Sequence, residues 1–212
     1  MTRRVGFVGL GDMGVPMATR LADAGLNPLL WSRRPESADP VIARGAERAA
    51  SVDDLFDACD RVVLMLANGN AMDEVLGRGS PAFGRRVAGV TLIHMGTTPP
   101  GYSEALAAAV LEAGGQYAEV PVSGSTGPAA TGDLVAMTAG SDAALAAAQE
   151  IVPHMCRTIV PCGEVPKALQ MKLAVNTYLG GLVTGLFEAF NLARIAELDL
   201  PTFAKVLEAG PM

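Results

Sequence analysis

The sequence predicts an α/β fold, a doubly wound and mainly parallel sheet followed by a short all-α region. Three observations carry this. Short apolar runs alternate with helical periodicities of roughly 10–15 residues from the N-terminus onward. The first of these runs breaks into glycines and leads directly into a helix. After about residue 163 the alternation stops, and 164–198 shows no strand-like pattern and no Pro beyond Pro166. The predicted division is therefore 1–163 for the sheet domain and 164–212 for the start of a helical one.

Taken in order, "VGFV" reads as a buried strand and "MATRLADAGL" as a helix stopped at Gly25. "NPLLW" is a second strand. "SVDDLFDAC" is a helix with Ser51 as its cap and Asp54 at the capping-box position. "RVVLML" and "GVTLIHM" are unbroken apolar runs, as expected of strands covered on both faces. "PGYSEALAAAVLEAGG" is a helix closed by glycines; "QYAEVPV" and "LVAMTAG" are strands. "SDAALAAAQEIVPHM" is a helix capped by Ser141, and "RTIVPCG" is the last strand. The 164–198 segment reads as one helix of about 30 residues, apolar on most faces and hence largely buried. "LPTFAKVLEAG" begins another. An apolar helix this long, with little sequence after it, asks for a partner chain or for further chain to cover it.

Composition narrows the function classes. Of 212 residues, half are apolar and 18% are charged, enough for a core and too apolar for wholesale disorder. The net charge of −6, with arginines scattered apart from the pairs Arg3-Arg4, Arg33-Arg34 and Arg85-Arg86, offers no basic stripe for nucleic acid. Cys59, Cys156 and Cys162 lack CxxC spacing and read as free thiols of a reducing cytoplasm. His94 and His154 are far apart and without ligand spacing, so no metal site is expected. No uninterrupted apolar stretch reaches about 18 residues, so no membrane span is expected.

Gly9-Leu10-Gly11-Asp12-Met13-Gly14 is G-x-G-x-x-G between a strand and a helix, the context that makes this motif informative. Gly9 permits the tight turn, Gly11 admits a pyrophosphate close to the backbone, and Gly14 lets helix and strand pack closely. The helix N-terminus then faces the anion. At the end of the second strand, where NAD sites place an acid, the chain reads Trp31-Ser32-Arg33-Arg34, with no acid before Glu36. Two guanidiniums beside a hydroxyl suit a 2′-phosphate, so NADP is favoured over NAD.

"ALQMKLAVN" (168–176) poses the remaining question. Lys172 is one of three lysines against thirteen arginines, and Asn176 lies one turn further along an apolar helix. Desolvating both is costly without partners. Either they reach water or something polar lies beside them.

With "GFVGLGDMGVPMATRLADAGL", "WSRRP", "EVPVSGSTGPAATGDLVAMTAG" and "GEVPKALQMKLAVN" on the page, the chain resembles the β-hydroxyacid dehydrogenase family across nearly its whole length. That family includes 3-hydroxyisobutyrate dehydrogenases and glyoxylate/succinic semialdehyde reductases, and its first domain is of the 6-phosphogluconate dehydrogenase NADP-binding, Rossmann type. The resemblance implies an oxidoreductase that moves a hydride between nicotinamide and a small 3-hydroxy acid or semialdehyde. By implication Lys172 is the general acid/base and Asn176 helps hold it and the substrate. Ser123, Gly124 and Ser125 bind the substrate carboxylate, Leu66-Ala67 line the cofactor, and Thr97 lies near the nicotinamide ribose. A homodimer through the C-terminal helices is also implied.

Three departures stand out. Gly96 replaces a usual serine, Pro166 and Ala168 replace glycines, and a second cofactor-contacting lysine of the family would lie beyond Met212. Two other readings remain at this point: an imine reductase of similar architecture, and a non-catalytic dinucleotide-binding module.

Overall fold

A computed structural model describes residues 4–210, so Arg3 and the final two residues lie outside the described residues. Strand β1 (Val5–Val8) enters the glycine turn and α1 (Gly14–Asp23); β2 (Leu29–Trp31) leads through a 3₁₀ turn into α2 (Asp39–Ile42) and a two-residue β3 (Glu47–Arg48). Helix α3 (Val52–Ala58) begins where Ser51 Oγ accepts the Asp54 N–H at 3.1 Å, as its capping sequence requires. β4 (Arg61–Leu64) is followed by α4 (Gly69–Leu76) and α5 (Ala82–Val87), then β5 (Thr91–His94) and α6 (Pro100–Glu112). The expected single strand "QYAEVPV" is two, β6 (Gln116–Glu119) and β7 (Val122–Ser123), parted at Pro121, which has no N–H for a ladder. α7 (Thr126–Thr131), β8 (Leu134–Gly140), α8 (Asp142–Gln149) and β9 (Cys156–Gly163) complete the sheet domain. α9 (Lys167–Ile195) and α10 (Leu200–Ala209) end the chain, the latter capped by Asp199 on the Thr202 N–H.

The strands form one nine-stranded sheet in the order β3-β2-β1-β4-β5-β6-β8-β7, with β9 also paired to β8. β1 to β6 are mutually parallel; β8 runs against β6, and β7 against β8. Alternate residues of each strand feed opposite cores. Phe7, Val63 and Ile93 pack into one apolar cluster, while Val8, Val62, Leu64 and Leu92 pack into the other. Both faces are covered, which is why "RVVL" and "TLIH" contain no exposed position.

The chain separates into two compact units, residues 1–172 and 173–212. In the second, the expectation of a largely buried helix is not met within a single chain. Tyr178, Leu182, Phe187 and Leu192 are all more than half exposed, and Ala193 is the only α9 residue past Lys172 that is buried. By length and composition α9 also meets the measure for a membrane-crossing helix, with mean hydropathy 1.2 over its best window. The expectation of no such segment rested on uninterrupted apolar runs, and the glycines, threonines and asparagines within α9 hide it from that count. The Arg85-Arg86 pair clamps Asp53, holding its carboxyl down to about 2.

Candidate active site

In an open parallel sheet, ligands bind beyond the carboxyl ends of the strands where strand order reverses. Here that point lies between β1 and β4. A crevice of about 600 Å³ opens there, and it gathers Gly9, Leu10 and Gly11 after β1, Ser32, Arg33 and Arg34 after β2, and Leu66 and Ala67 after β4. Asp12, Met13 and Gly14 complete the turn into α1. A second cleft, about 670 Å³, lies between α6, α8 and residues 161–165; its lining offers Asp142 and Glu164 but no cation, which ill suits an anionic dinucleotide.

The three motif glycines answer to different neighbours. A Cβ on Gly9, whose φ is +98°, would lie 2.2 Å from the Met65 carbonyl oxygen. One on Gly14 would lie 1.9 Å from the Gly9 carbonyl oxygen. Both are demanded by the fold itself. A Cβ on Gly11 would meet nothing within 4 Å, although Gly11 lines the crevice. No protein atom requires a glycine there; a ligand lying close against the backbone would, and a pyrophosphate at the head of α1 fits that need. Arg33 and Arg34 are exposed, and Arg33 faces Glu74 at 3.8 Å, a solvated pair too weak to withhold a guanidinium from a phosphate.

Thr97 follows β5 and is exposed. A hydroxyl side chain at Gly96 would not fit this backbone, because a Cβ there would lie 2.6 Å from the Leu66 carbonyl oxygen and 3.3 Å from His94 Nε2. The missing serine is thus matched by close packing of β5 against the loop after β4. Ser123 ends β7, and Gly124 and Ser125 follow it; β7 runs in the direction of β6 and so ends at the same carboxyl edge of the sheet. Gly124 needs its glycine, with φ +136° and a Cβ position 2.7 Å from Leu134 Cδ2.

Lys172 lies in the second turn of α9 and is buried, 8% exposed. Burial pushes its ammonium below the ordinary lysine range. Asn176, one turn on, is exposed within the chain. The start of α9 is held to the sheet by a residue that sequence reasoning did not single out. Glu119, the last residue of β6 and fully buried, accepts the Leu169 N–H at 3.0 Å on one oxygen and the Ser103 hydroxyl at 2.6 Å on the other. Ser103 Oγ lies 2.7 Å from Tyr117 Oη, and Tyr117 Oη lies 2.6 Å from His94 Nδ1. Burial raises the Glu119 carboxyl and lowers the His94 imidazole to about 4, so the imidazole is neutral near pH 7. The available signal was an acid inside the buried run "YAEV", which must find donors in the interior. Among the described residues no group of three or more His, Cys, Asp or Glu side chains could hold a metal.

A glycine-turn crevice at the switch point of a parallel sheet, with a buried lysine on the helix that follows, defines a dinucleotide-binding α/β domain. The chain belongs to the family described as the NAD binding domain of 6-phosphogluconate dehydrogenase, which matches residues 4–163. It is 30% identical over 210 residues to glyoxylate/succinic semialdehyde reductase 2 of Arabidopsis thaliana, covering 99% of this chain and 58% of that one. It is 33% identical over 203 residues to the mitochondrial 3-hydroxyisobutyrate dehydrogenase of Rattus norvegicus, covering 96% and 61%. The chain thus spans about three-fifths of the length of these relatives. Among solved structures, Psf3 in complex with NADP+ and 2-OPP superposes with TM-score 0.89 at 27% identity, covering 97% of this chain and 73% of that one. An imine reductase from Myxococcus stipitatus superposes with TM-score 0.87 at 18% identity, covering 98% and 72%, a likeness of fold alone.

Proposed function

We propose that the protein is an NADP-preferring oxidoreductase acting on a small 3-hydroxy acid or short semialdehyde, with Lys172 as general acid/base. The observation that carries this is Lys172 itself, a buried ammonium with a lowered pKa on a helix whose first turn is bonded to the carboxyl end of β6. When bound, the nicotinamide supplies or accepts the hydride. The residues that would hold the dinucleotide are Gly9 to Gly14 at the pyrophosphate, Ser32, Arg33 and Arg34 at the 2′-phosphate, and Leu66, Ala67 and Thr97 further in. Lys172 donates the proton that a carbonyl oxygen gains on reduction and takes it back from the alcohol on oxidation. Asn176 supports Lys172 and the substrate. Ser123, Gly124 and Ser125 offer hydroxyls and backbone to a carboxylate. The free thiols Cys59, Cys156 and Cys162 are in keeping with the cytoplasm as its compartment.

The assay is a panel of small hydroxy acids, semialdehydes and cyclic imines with each cofactor. Turnover of a hydroxy acid or semialdehyde with NADP(H) is expected. Turnover of cyclic imines alone would move the protein to the imine reductases, and cofactor binding without turnover of any of them would leave a dinucleotide-binding module. Joint replacement of Arg33 and Arg34 by alanine is expected to lower kcat/KM with NADPH at least about tenfold, since charge-assisted hydrogen bonds to a phosphate are lost. The value with NADH should change little, and an equal loss with both cofactors would refute the assignment of these arginines. A second copy of this chain is the proposed cover for the apolar α9, on which Tyr178, Leu182, Phe187, Leu192 and Ile195 are each more than half exposed. Sedimentation at micromolar concentration should show a dimer; a monomer would rule it out.

A further inference from the structure

We propose that Glu119 is the positioning residue of this site: its buried carboxylate fixes the first turn of α9 and thereby sets where Lys172 stands. The inference rests on the reading of Lys172 as the acid/base and adds to it a group that touches neither substrate nor cofactor.

Helix starts carry backbone N–H groups without intrahelical partners, and a buried start must find acceptors for them. Leu169, fully buried, is in the first turn of α9, and its N–H is donated to Glu119 Oε2 at 3.0 Å across fifty residues of sequence. Lys172 follows three residues later, on the same side of the helix as Leu169. A shift of this turn therefore moves the ammonium with it.

The carboxylate is itself over-determined. With Glu119 ionised, every donor behind it has only one direction to point. Ser103 donates to Oε1 at 2.6 Å, so Tyr117 must donate to Ser103 Oγ at 2.7 Å, and His94 must donate from Nδ1–H to Tyr117 Oη at 2.6 Å. Ser103, Tyr117, His94 and Glu119 are all buried, on α6, β6 and β5. The chain of bonds anchors the helix start to two parallel strands and a covering helix, which are rigid elements of the kind a site needs behind it.

A glutamine at this position tests the idea selectively. Its amide oxygen can still accept the Leu169 N–H while its NH₂ donates to Ser103. Ser103 then donates to Tyr117 and Tyr117 to His94 Nδ1, so the bonds of the relay reverse and are kept, while the imidazole proton moves to Nε2, for which the described residues offer no partner. Methionine has similar length and no comparable acceptor.

Three measurements on the full chain decide the matter: amide hydrogen exchange at Leu169 without substrate, NADPH affinity by fluorescence, and steady-state kinetics. For Glu119→Met, exchange at Leu169 should quicken at least about tenfold, and kcat should fall on the order of 10²-fold, as expected of a misplaced acid/base. NADPH affinity and KM should stay within about twofold. Glu119→Gln should restore slow exchange and bring kcat back to within about fivefold. Unchanged kcat in Glu119→Met, or equal losses in both variants, would overturn the proposal. Where Glu119→Met does not fold, Glu119→Gln decides: retained kcat and slow exchange support it, and loss of either overturns it. If the wild type turns over no substrate, the functional reading fails separately, while exchange at Leu169 still shows whether Glu119 holds the helix.

Discussion

Lys172→Ala is expected to lower turnover about 10²- to 10⁴-fold while leaving NADPH affinity within about twofold, the range a positioned acid/base supplies. Lys172 is not part of the crevice that gathers the glycine turn and the arginines, so cofactor binding has no reason to follow. Lys172→Arg should not rescue the loss. A guanidinium stays protonated well above neutral pH and cannot exchange its proton as a lysine with a lowered pKa can. The sign of the pH dependence follows from the same group. Carbonyl reduction needs the ammonium form, so its rate should fall as pH rises through the lowered Lys172 pKa. Alcohol oxidation needs the neutral amine, so its rate should rise through the same pH. A variant that keeps wild-type kcat, or profiles that move together in both directions, would remove Lys172 from the mechanism.

The second large effect separates two glycines of one motif. Gly14→Ala sets a methyl 1.9 Å from a backbone oxygen that cannot swing aside, and should destabilise the domain by about 3 kcal/mol or more. Gly11→Ala puts a methyl into open space in the crevice, so thermal stability should change by no more than about 0.5 kcal/mol. Its dinucleotide affinity should nevertheless fall about tenfold or more, because the methyl occupies the line of approach that the ligand needs. Thermal unfolding and fluorescence titration on the two variants read this directly. Loss of stability in Gly11→Ala, or undiminished affinity, would mean that the turn does not cradle a pyrophosphate.

Much of this was legible in the residues. Long apolar runs such as "RVVL" and "TLIH" and the Ser51 and Ser141 caps carry local physics strong enough to survive tertiary context. The short elements α4, α5 and α7 were not read: α5 and α7 are six residues each with one buried position apiece, and the helical spacing of Met72, Val75 and Leu76 in α4 spans little more than one turn. Lys172 could be found because an ammonium in an apolar helix is conspicuous. Glu119 was overlooked because its partners Ser103 and Leu169 are sixteen and fifty residues away, and no local pattern announces a bond between them. The reason Gly96 replaces a serine was equally out of reach, since it depends on how closely β5 lies to the Leu66 carbonyl.

The claim beneath all of this is that one ammonium is kept out of water. Since the chain holds only Lys167, Lys172 and Lys205, a ¹⁵N-lysine titration gives three side-chain signals, with Lys172→Arg to assign one of them. The Lys172 signal is expected to titrate clearly below the usual value of about 10.4. A Lys172 signal titrating at that ordinary value would contradict the claim.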